Sequence, residues 1–301
     1  MSFVHLRTHS EYSVVDGTLR IDDAAAAAKA DGQVALAIAD LNNLFGTVQF
    51  YKACRGAGIK PLIGVDVWME PQAEAGDKQP SRLLLLVQDV RGYHNLSELL
   101  ARAWTRNVQR AQAWVTWAWL QELNAGLIAL SGGEFGAVGI ALIAGDKTRA
   151  REAARFTAKV FPNRFYLELQ RAGLPQHEAV VRATVPLAAE LQLPVVATHP
   201  VQFLEPDDFE AHEARVCVAE GETLTNPKRI KRFGRDQYFK TQAEMAALFA
   251  DIPSAIENSV RIAQRCNLSL VLGKPQLPNF PTPLLADGTP MPMEQFFREE
   301  S

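Results

Sequence analysis

Residues 4–10 read VHLRTHS. Val4 and Leu6 predict a short strand, and on a strand the side chains alternate between two faces with a period of two. His5, Arg7 and His9 then share one face. Two histidines on one strand face suggest a metal site. The arginine between them carries a permanent positive charge, which repels a cation. This strand opens a series of strand and helix units, so its reading governs both the fold and the chemistry the fold can hold.

Working outward, IDDAAAAAKADG (21–32) predicts a helix. Asp22 and Asp23 suit its positive end, alanines propagate it and Gly32 stops it. VALAIAD (34–40) is a buried strand, NNLFGTVQFYKACRGAG (42–58) a helix and IKPLIGVDVWME (59–70) a second buried strand. PQAEAGDKQPS (71–81) is a polar surface loop. RLLLLVQD (82–89) reads as a strand and GYHNLSELLARAW (92–104) as a helix. Past WVTWAWLQELNAG (114–126) come the strand GLIALSGG (126–133), helices around 136–145 and 146–160, the strand RFYLELQ (164–170), a helix from His177 to Gln192 and the strand LPVVATHPVQFL (193–204). From Asp207 onward the pattern is helical and more polar. Apolar strands alternating with helices predict a parallel sheet covered by helices. About seven such units predict closure into a barrel, whose chemistry sits at the C-terminal strand ends. The polar residues there are His9, Asp16, Asp40, Asp66, Gly132–Gly133–Glu134 and His199.

The chain has 301 residues, 48% of them hydrophobic and 22% charged, with a net charge of −3. That excludes the strongly basic character of an autonomous DNA-binding domain. Cys54, Cys217 and Cys266 lie far apart with no CxxC pair, which predicts a reducing, cytoplasmic setting. The N-terminus has no basic-then-apolar signal pattern, and no apolar run reaches the ~18 residues of a membrane span. There is no phosphate-binding GxxxxGK[ST] loop, and SGG at 131–133 lacks the preceding glycine of a nucleophile elbow. WVTWAWL (114–120) reads as core with a possible docking edge. KRIKRFGR (228–235), the one basic run, reads as a solvated loop as readily as a DNA contact. Asp208 and His212 are helical neighbours at i, i+4.

HLRTHSEYSVVDG (5–17), ALAIADLNNLFGTVQFYKACRGAGIKPLIGVDVWM (35–69), GLIALSGGEFG (126–136) and LPVVATHPVQFL resemble the successive motifs of a PHP domain (polymerase and histidinol phosphatase). More closely, they resemble the N-terminal PHP domains of bacterial replicative DNA polymerase III alpha subunits, and the likeness continues to LPNFPTP (277–283). The HLRTHSEYSVVDG opening stands closer to that replicative type than to the error-prone alpha-like polymerase. The resemblance implies an α/β fold, a distorted seven-stranded (β/α) barrel with a helical C-terminal extension. PHP residues would span 1–280, the barrel about 1–205 and the helical remainder 206–270. Residues 281–301 would be a proline-rich, extended linker into a polymerase palm, ending in MEQFFREES as a helix cut short, so that the chain reads as a fragment.

Active PHP domains hold two or three metal ions. Carried over residue by residue, the first ligand histidine of the family falls on Arg7 and the second on His9. The next aspartate is Asp16. The Asp-His of the second motif is Asp40-Leu41. The glutamate of the third is Asp66, a further histidine is Arg82, the cysteine is Gly133, and the last Asp and His are Pro200 and Gln202. His199 stands where the family usually has Asn. The resemblance thus leaves His9, Asp16 and Asp66 as ligands if any ion binds, against the about four that zinc takes. The expectation is a degenerate metal site with no metal and no catalytic residue, in which Arg7 neutralises Asp16, Asp40 and Asp66. Residual zinc, manganese or magnesium is the alternative, with magnesium serving the parent polymerase.

The function implied is that of an inactive structural module in DNA replication. It would dock the proofreading exonuclease (epsilon) subunit and pack against the palm and thumb of its own chain. Other replicase subunits and DNA would be reached through domains beyond this chain, and no membrane is involved. The parent would be a DNA-directed DNA polymerase, a nucleotidyltransferase. The competing class is a metal-dependent phosphoesterase, either a proofreading nuclease or a pyrophosphatase.

Overall fold

A computed structural model describes residues 2–71, 79–109, 111–275 and 280–301. It divides into two units, residues 1–269 and 270–301. The strands of the first unit are β1 (Ala35–Ile38), β2 (Lys60–Met69), β3 (Ser81–Val87), β4 (Val108–Gln109), β5 (Gln112–Val115), β6 (Leu127–Leu130), β7 (Phe165–Gln170) and β8 (Val195–Thr198). Its helices are α1 (Ile21–Ala30), α2 (Thr47–Ala57), α3 (Val90–Arg106), α4 (Trp117–Leu123), α5 (Ala137–Ile143), α6 (Lys147–Val160), α7 (His177–Leu191), α8 (Phe209–Glu220), α9 (Gln242–Leu248) and α10 (Pro253–Arg265).

The sheet is mixed, which corrects the expectation of parallel strands throughout. β1–β2, β6–β7 and β7–β8 are parallel, but β3 runs antiparallel to both β2 and β6. The reason is in the connection. A parallel return needs a crossover of a dozen or more residues, usually helical, and β2 and β3 are joined by the polar stretch 70–80. Residues 72–78 of that loop lie outside the described residues. β5 pairs with the far end of β2 and carries β4 on its other edge.

The N-terminal segment joins the two ends of this sheet through backbone hydrogen bonds rather than a regular ladder. On one side Ala37 N–H donates to His5 O (2.9 Å) and Ala39 N–H to Thr8 O (2.8 Å). On the other, His9 N–H donates to Val201 O (3.0 Å) and Val201 N–H to Arg7 O (3.1 Å). The ring thus runs N-terminal segment, β1, β2, β3, β6, β7, β8 and back to the segment. The step of two residues from Ala37 to Ala39 faces a step of three from His5 to Thr8, the extra residue of a β-bulge. The bulge flips the side-chain alternation. Val4 and Leu6 join the buried cluster of Ala37, Leu62, Leu84, Ile128, Leu130 and Val196, and beyond the bulge Arg7 and His9 reach the carboxylates inside the ring. His5 points elsewhere, with its Nε2 on Lys240 O (2.7 Å) and its ring against Phe239. His5, Arg7 and His9 therefore do not share one face.

Local chemistry accounts for the helices. Asp89 caps α3 by accepting from Gly92 N–H (2.9 Å), and Leu96, Leu99, Leu100 and Ala103 bury the stripe at helical spacing. α2 stops at Gly58, whose φ of 80° suits glycine. α10 packs Ala255, Ile256, Ile262 and Ala263 against the sheet, and Ser259 Oγ accepts from Val4 N–H (3.1 Å). Among the described residues no helix is long and apolar enough to cross a membrane. In the second unit, residues 281–301 hold a turn, in which Leu285 N–H donates to Thr289 O (2.8 Å), and the helix α11 (Met293–Glu300).

A Cβ at Gly92 would lie 1.9 Å from Gly126 O. Gly92→Ala is expected to destabilise the first unit by about 1–3 kcal/mol through this overlap at the α3–β6 junction. Urea unfolding checks it, and an unchanged midpoint would contradict the packing.

Candidate functional site

At the C-terminal mouth of the ring five of the sequence-selected residues meet: Arg7, His9, Asp16, Asp66 and Arg82. Asp66 is fully buried. Its Oδ2 is bonded by Arg7 Nη1, by Arg82 Nη1 at 2.6 Å, and lies 3.5 Å from His9 Nε2. Arg7 turns its other edge on Glu168 of β7, with Nε to Oε1 at 2.6 Å and Nη2 to Oε2 at 3.1 Å. That bidentate fork is the strongest geometry an arginine and a carboxylate adopt. Glu168 also accepts from Gly132 N–H (2.9 Å), Thr198 Oγ1 (2.5 Å) and Gln170 Nε2 (3.0 Å). Asp16 accepts from His9 Nδ1 (3.0 Å) and Ser13 Oγ (2.6 Å), and lies 3.7 Å from Arg82. Arg82 stacks on Trp68, 4.3 Å from the ring centre.

Burial opposes the charges of His9, Asp66 and Asp16, and their partners overcome it. Burial would discharge His9, but Asp16 and Asp66 raise its pKa to about 9. Burial would protonate Asp66, yet Arg7 and Arg82 hold it well below the usual carboxylate range. For Asp16 the same opposition is overcome by His9 and Arg82. With His9 protonated, the cations Arg7, His9 and Arg82 face Asp16, Asp66 and Glu168, and the charges balance inside the cluster.

The other sequence-selected residues take separate places. Arg7 pairs with Asp66 and Glu168 and with neither Asp16 nor Asp40; Asp40 accepts from Ser10 N–H (2.6 Å) and Ser10 Oγ (2.8 Å), and burial pushes its pKa up to about 6. Leu41 contributes backbone, pairing with Asp66 and donating its N–H to Ser13 Oγ (3.1 Å). A Cβ at Gly133 would lie 2.6 Å from Gln170 Oε1, so the Gln170 amide fills that space. Pro200 O accepts from Gln237 Nε2 (3.3 Å), and Gln202 N–H donates to Gln237 O (2.9 Å). His199 is fully buried beside the His5 ring, and burial drives its pKa well below the usual value. Glu134 bonds Gln176 and lies 3.3 Å from His177 Nε2. His212 bonds Asp16 O (2.9 Å) rather than Asp208, whose side chain accepts from Glu205 N–H (2.9 Å). Within the basic run, Arg229 pairs with Glu213 (2.5 Å) and Arg232 with Glu220 (2.9 Å). Trp117 packs edge-on against Phe156.

Glu168 and Gln170 were missed. The signal was present in FYLELQ: a glutamate inside an apolar strand, in phase with Tyr166, with no solvent face to occupy.

The donor set does not fit a metal cluster. Among the described residues no group of three His, Cys, Asp or Glu side chains is arranged to hold an ion. Of the atoms here that could ligate an ion, Asp66 Oδ1 and His9 Nε2 are buried without a hydrogen bond, too few for the about four ligands that zinc takes. Two guanidiniums within bonding distance of Asp66 would also repel a divalent ion.

The fold and mouth define an α/β ring domain whose strand-end acids are balanced by the protein's own cations. Residues 5–172 match the PHP domain, and the chain belongs to that family. It is similar to DNA polymerase III subunit alpha of Pseudomonas aeruginosa, 45% identical over 283 residues, covering 94% of this chain and 24% of the relative. The corresponding protein of Neisseria meningitidis is 50% identical over 287 residues, 94% of this chain and 25% of the relative. The chain thus spans about a quarter of the length of these relatives. A solved amidohydrolase from Chromobacterium violaceum aligns with a TM-score of 0.46 at 14% identity, over 71% of this chain and 97% of that one.

Arg7→Met should leave Asp66 and Glu168 undercompensated and cost about 3–5 kcal/mol, read by urea unfolding; a neutral effect would contradict the cluster. A second expectation concerns alkaline pH. His9 has a raised folded-state pKa, so its contribution to stability is fully present below 6.5 and is lost as pH rises toward about 9. The melting temperature should fall across that window, and the fall should be shallower in His9→Asn. Equal slopes in the two proteins would show that His9 is not charged.

Proposed function

We propose that this chain is an inactive PHP domain acting as a structural and docking module of a DNA polymerase III alpha subunit in DNA replication. The observation that carries the reading is the Arg7 guanidinium bonded to Asp66 and, bidentately, to Glu168. A two-metal phosphoesterase needs its ions about 4 Å apart, each clamping a reacting oxygen, and that space holds fixed side-chain charge instead. The competing reading, residual phosphoesterase activity, draws on the meeting of His9, Asp16 and Asp66. Each of those is already committed to a cation or an anion of the cluster.

The docking half of the proposal rests on the kinship with alpha subunits. The partner is the proofreading exonuclease subunit, and holding it near the primer end raises its effective concentration there. The surface is suited to such a role. Phe45 is 71% exposed and Trp104 is 46% exposed. Both border the loop at Asn42 and Asn43, since Trp104 Nε1–H donates to Asn42 O (2.8 Å) and Phe45 N–H to Asn43 Oδ1 (3.1 Å). Exposed apolar groups mark interaction sites where they gather into a contiguous patch.

The purified chain is expected to hydrolyse neither a generic phosphodiester nor pyrophosphate with added manganese, and zinc or manganese should leave its melting temperature unchanged. Turnover that His9→Ala abolishes would overturn the inactive reading. Calorimetric titration with the exonuclease subunit should show saturable binding that Phe45→Glu weakens; no binding would remove the docking half.

A further inference from the structure

A second concave site lies at the opposite end of β2. Lys60 opens that strand six residues before Asp66, about 20 Å away at strand rise. A cavity of about 630 Å³ opens there, lined by Tyr51 and Arg55 of α2, by Ile59 and Lys60, and by Asn267 and Ser269 after α10. That volume lies within the about 300–1,000 Å³ of small-molecule sites.

Its charges are uncompensated. The Lys60 ammonium is half-buried and donates to Ala263 O (2.8 Å) and Asn267 Oδ1 (2.8 Å), both neutral acceptors. An ammonium has three donors, so one remains for another group. Among the described residues no carboxylate lies within ion-pair distance of Lys60 or Arg55, and the Tyr51 and Ser269 hydroxyls have no hydrogen-bond partner. Two cations, two free hydroxyls and an aromatic ring therefore line one cavity on a chain whose net charge is −3.

We infer that this cavity binds a small phosphate-bearing anion of nucleotide size. A phosphate dianion balances both cations at once, with Arg55 supplying a planar fork and Lys60 a point charge. The hydroxyls of Tyr51 and Ser269 donate to the remaining phosphate oxygens. The Tyr51 ring offers a face on which a base stacks.

The test is calorimetric titration of the chain at low ionic strength with inorganic phosphate, pyrophosphate and dAMP. Saturable binding is expected, weakened about tenfold or more by Arg55→Gln, a loss of roughly 1.4 kcal/mol. Tyr51→Ala should weaken dAMP more than pyrophosphate. Tighter binding of dAMP than of pyrophosphate assigns the cavity to nucleotides, and equal binding assigns it to the phosphate group itself. Lys60→Met should act like Arg55→Gln. If it fails to fold, Arg55→Gln still decides, because Arg55 is exposed and forms no ion pair among the described residues. Unchanged affinity in Arg55→Gln, or no saturable binding of any probe, overturns the inference.

Discussion

The contact between Arg7 and the two buried carboxylates of Asp66 and Glu168 is the constraint on which the rest depends. Asp66 and Glu168 are each no more than 1% exposed. Carboxylates taken out of water this far cost several kcal/mol apiece unless charge and hydrogen bonds are returned to them. The ring returns both. Arg7 bridges the two acids from the N-terminal segment, Arg82 closes over Asp66 from β3, and His9 links Asp66 to Asp16. Removing any one charge leaves the others unbalanced, so the cluster acts as a unit.

The fold places these groups by ordinary means. Asp66 and Arg82 sit on adjacent antiparallel strands, with Trp68 opposite Arg82 in register, so the stack of Trp68, Arg82 and Asp66 follows from that pairing. Glu168 comes from β7 on the other side of the ring, and Gly132 reaches it with a backbone N–H. Gly132 has φ +83°, and a Cβ there would lie 2.2 Å from Arg82 O, so glycine alone allows this approach. A bulge in the N-terminal segment delivers Arg7 and His9 inward and sends His5 to a separate packing site with Phe3, Phe239 and Lys240.

Much of this was legible in the residues. Outside β4, β5 and α4, which the sequence reading left unassigned, the strand and helix order from Ile21 to Thr198 follows from apolar runs and their stops, and Arg7 between two histidines announced that a cation had a rival. Three features were not legible. The reversal of β3 lay in the length and polarity of the 71–81 loop rather than in the strand, because an antiparallel strand buried on both faces reads like a parallel one. The bulge left no mark, since a period of two describes VHLRTHS equally well with or without an inserted residue. Asp40 looked like a partner for Arg7 because sequence shows which strand end a carboxylate occupies, not which neighbour reaches it first. Ser10 does. Glu168, by contrast, could have been found, as a charge in a strand with nowhere exposed to point.

We propose that fixed guanidinium charge occupies the place of divalent ions at the mouth of this PHP domain. The most direct measurement is anomalous diffraction at the zinc and manganese edges, from crystals grown with each metal. No anomalous peak is expected within the Asp16, Asp66 and Glu168 cluster, with the Arg7 guanidinium bridging Asp66 and Glu168. Two or three peaks coordinated by His9, Asp16 and Asp66, with Arg7 displaced, would contradict it.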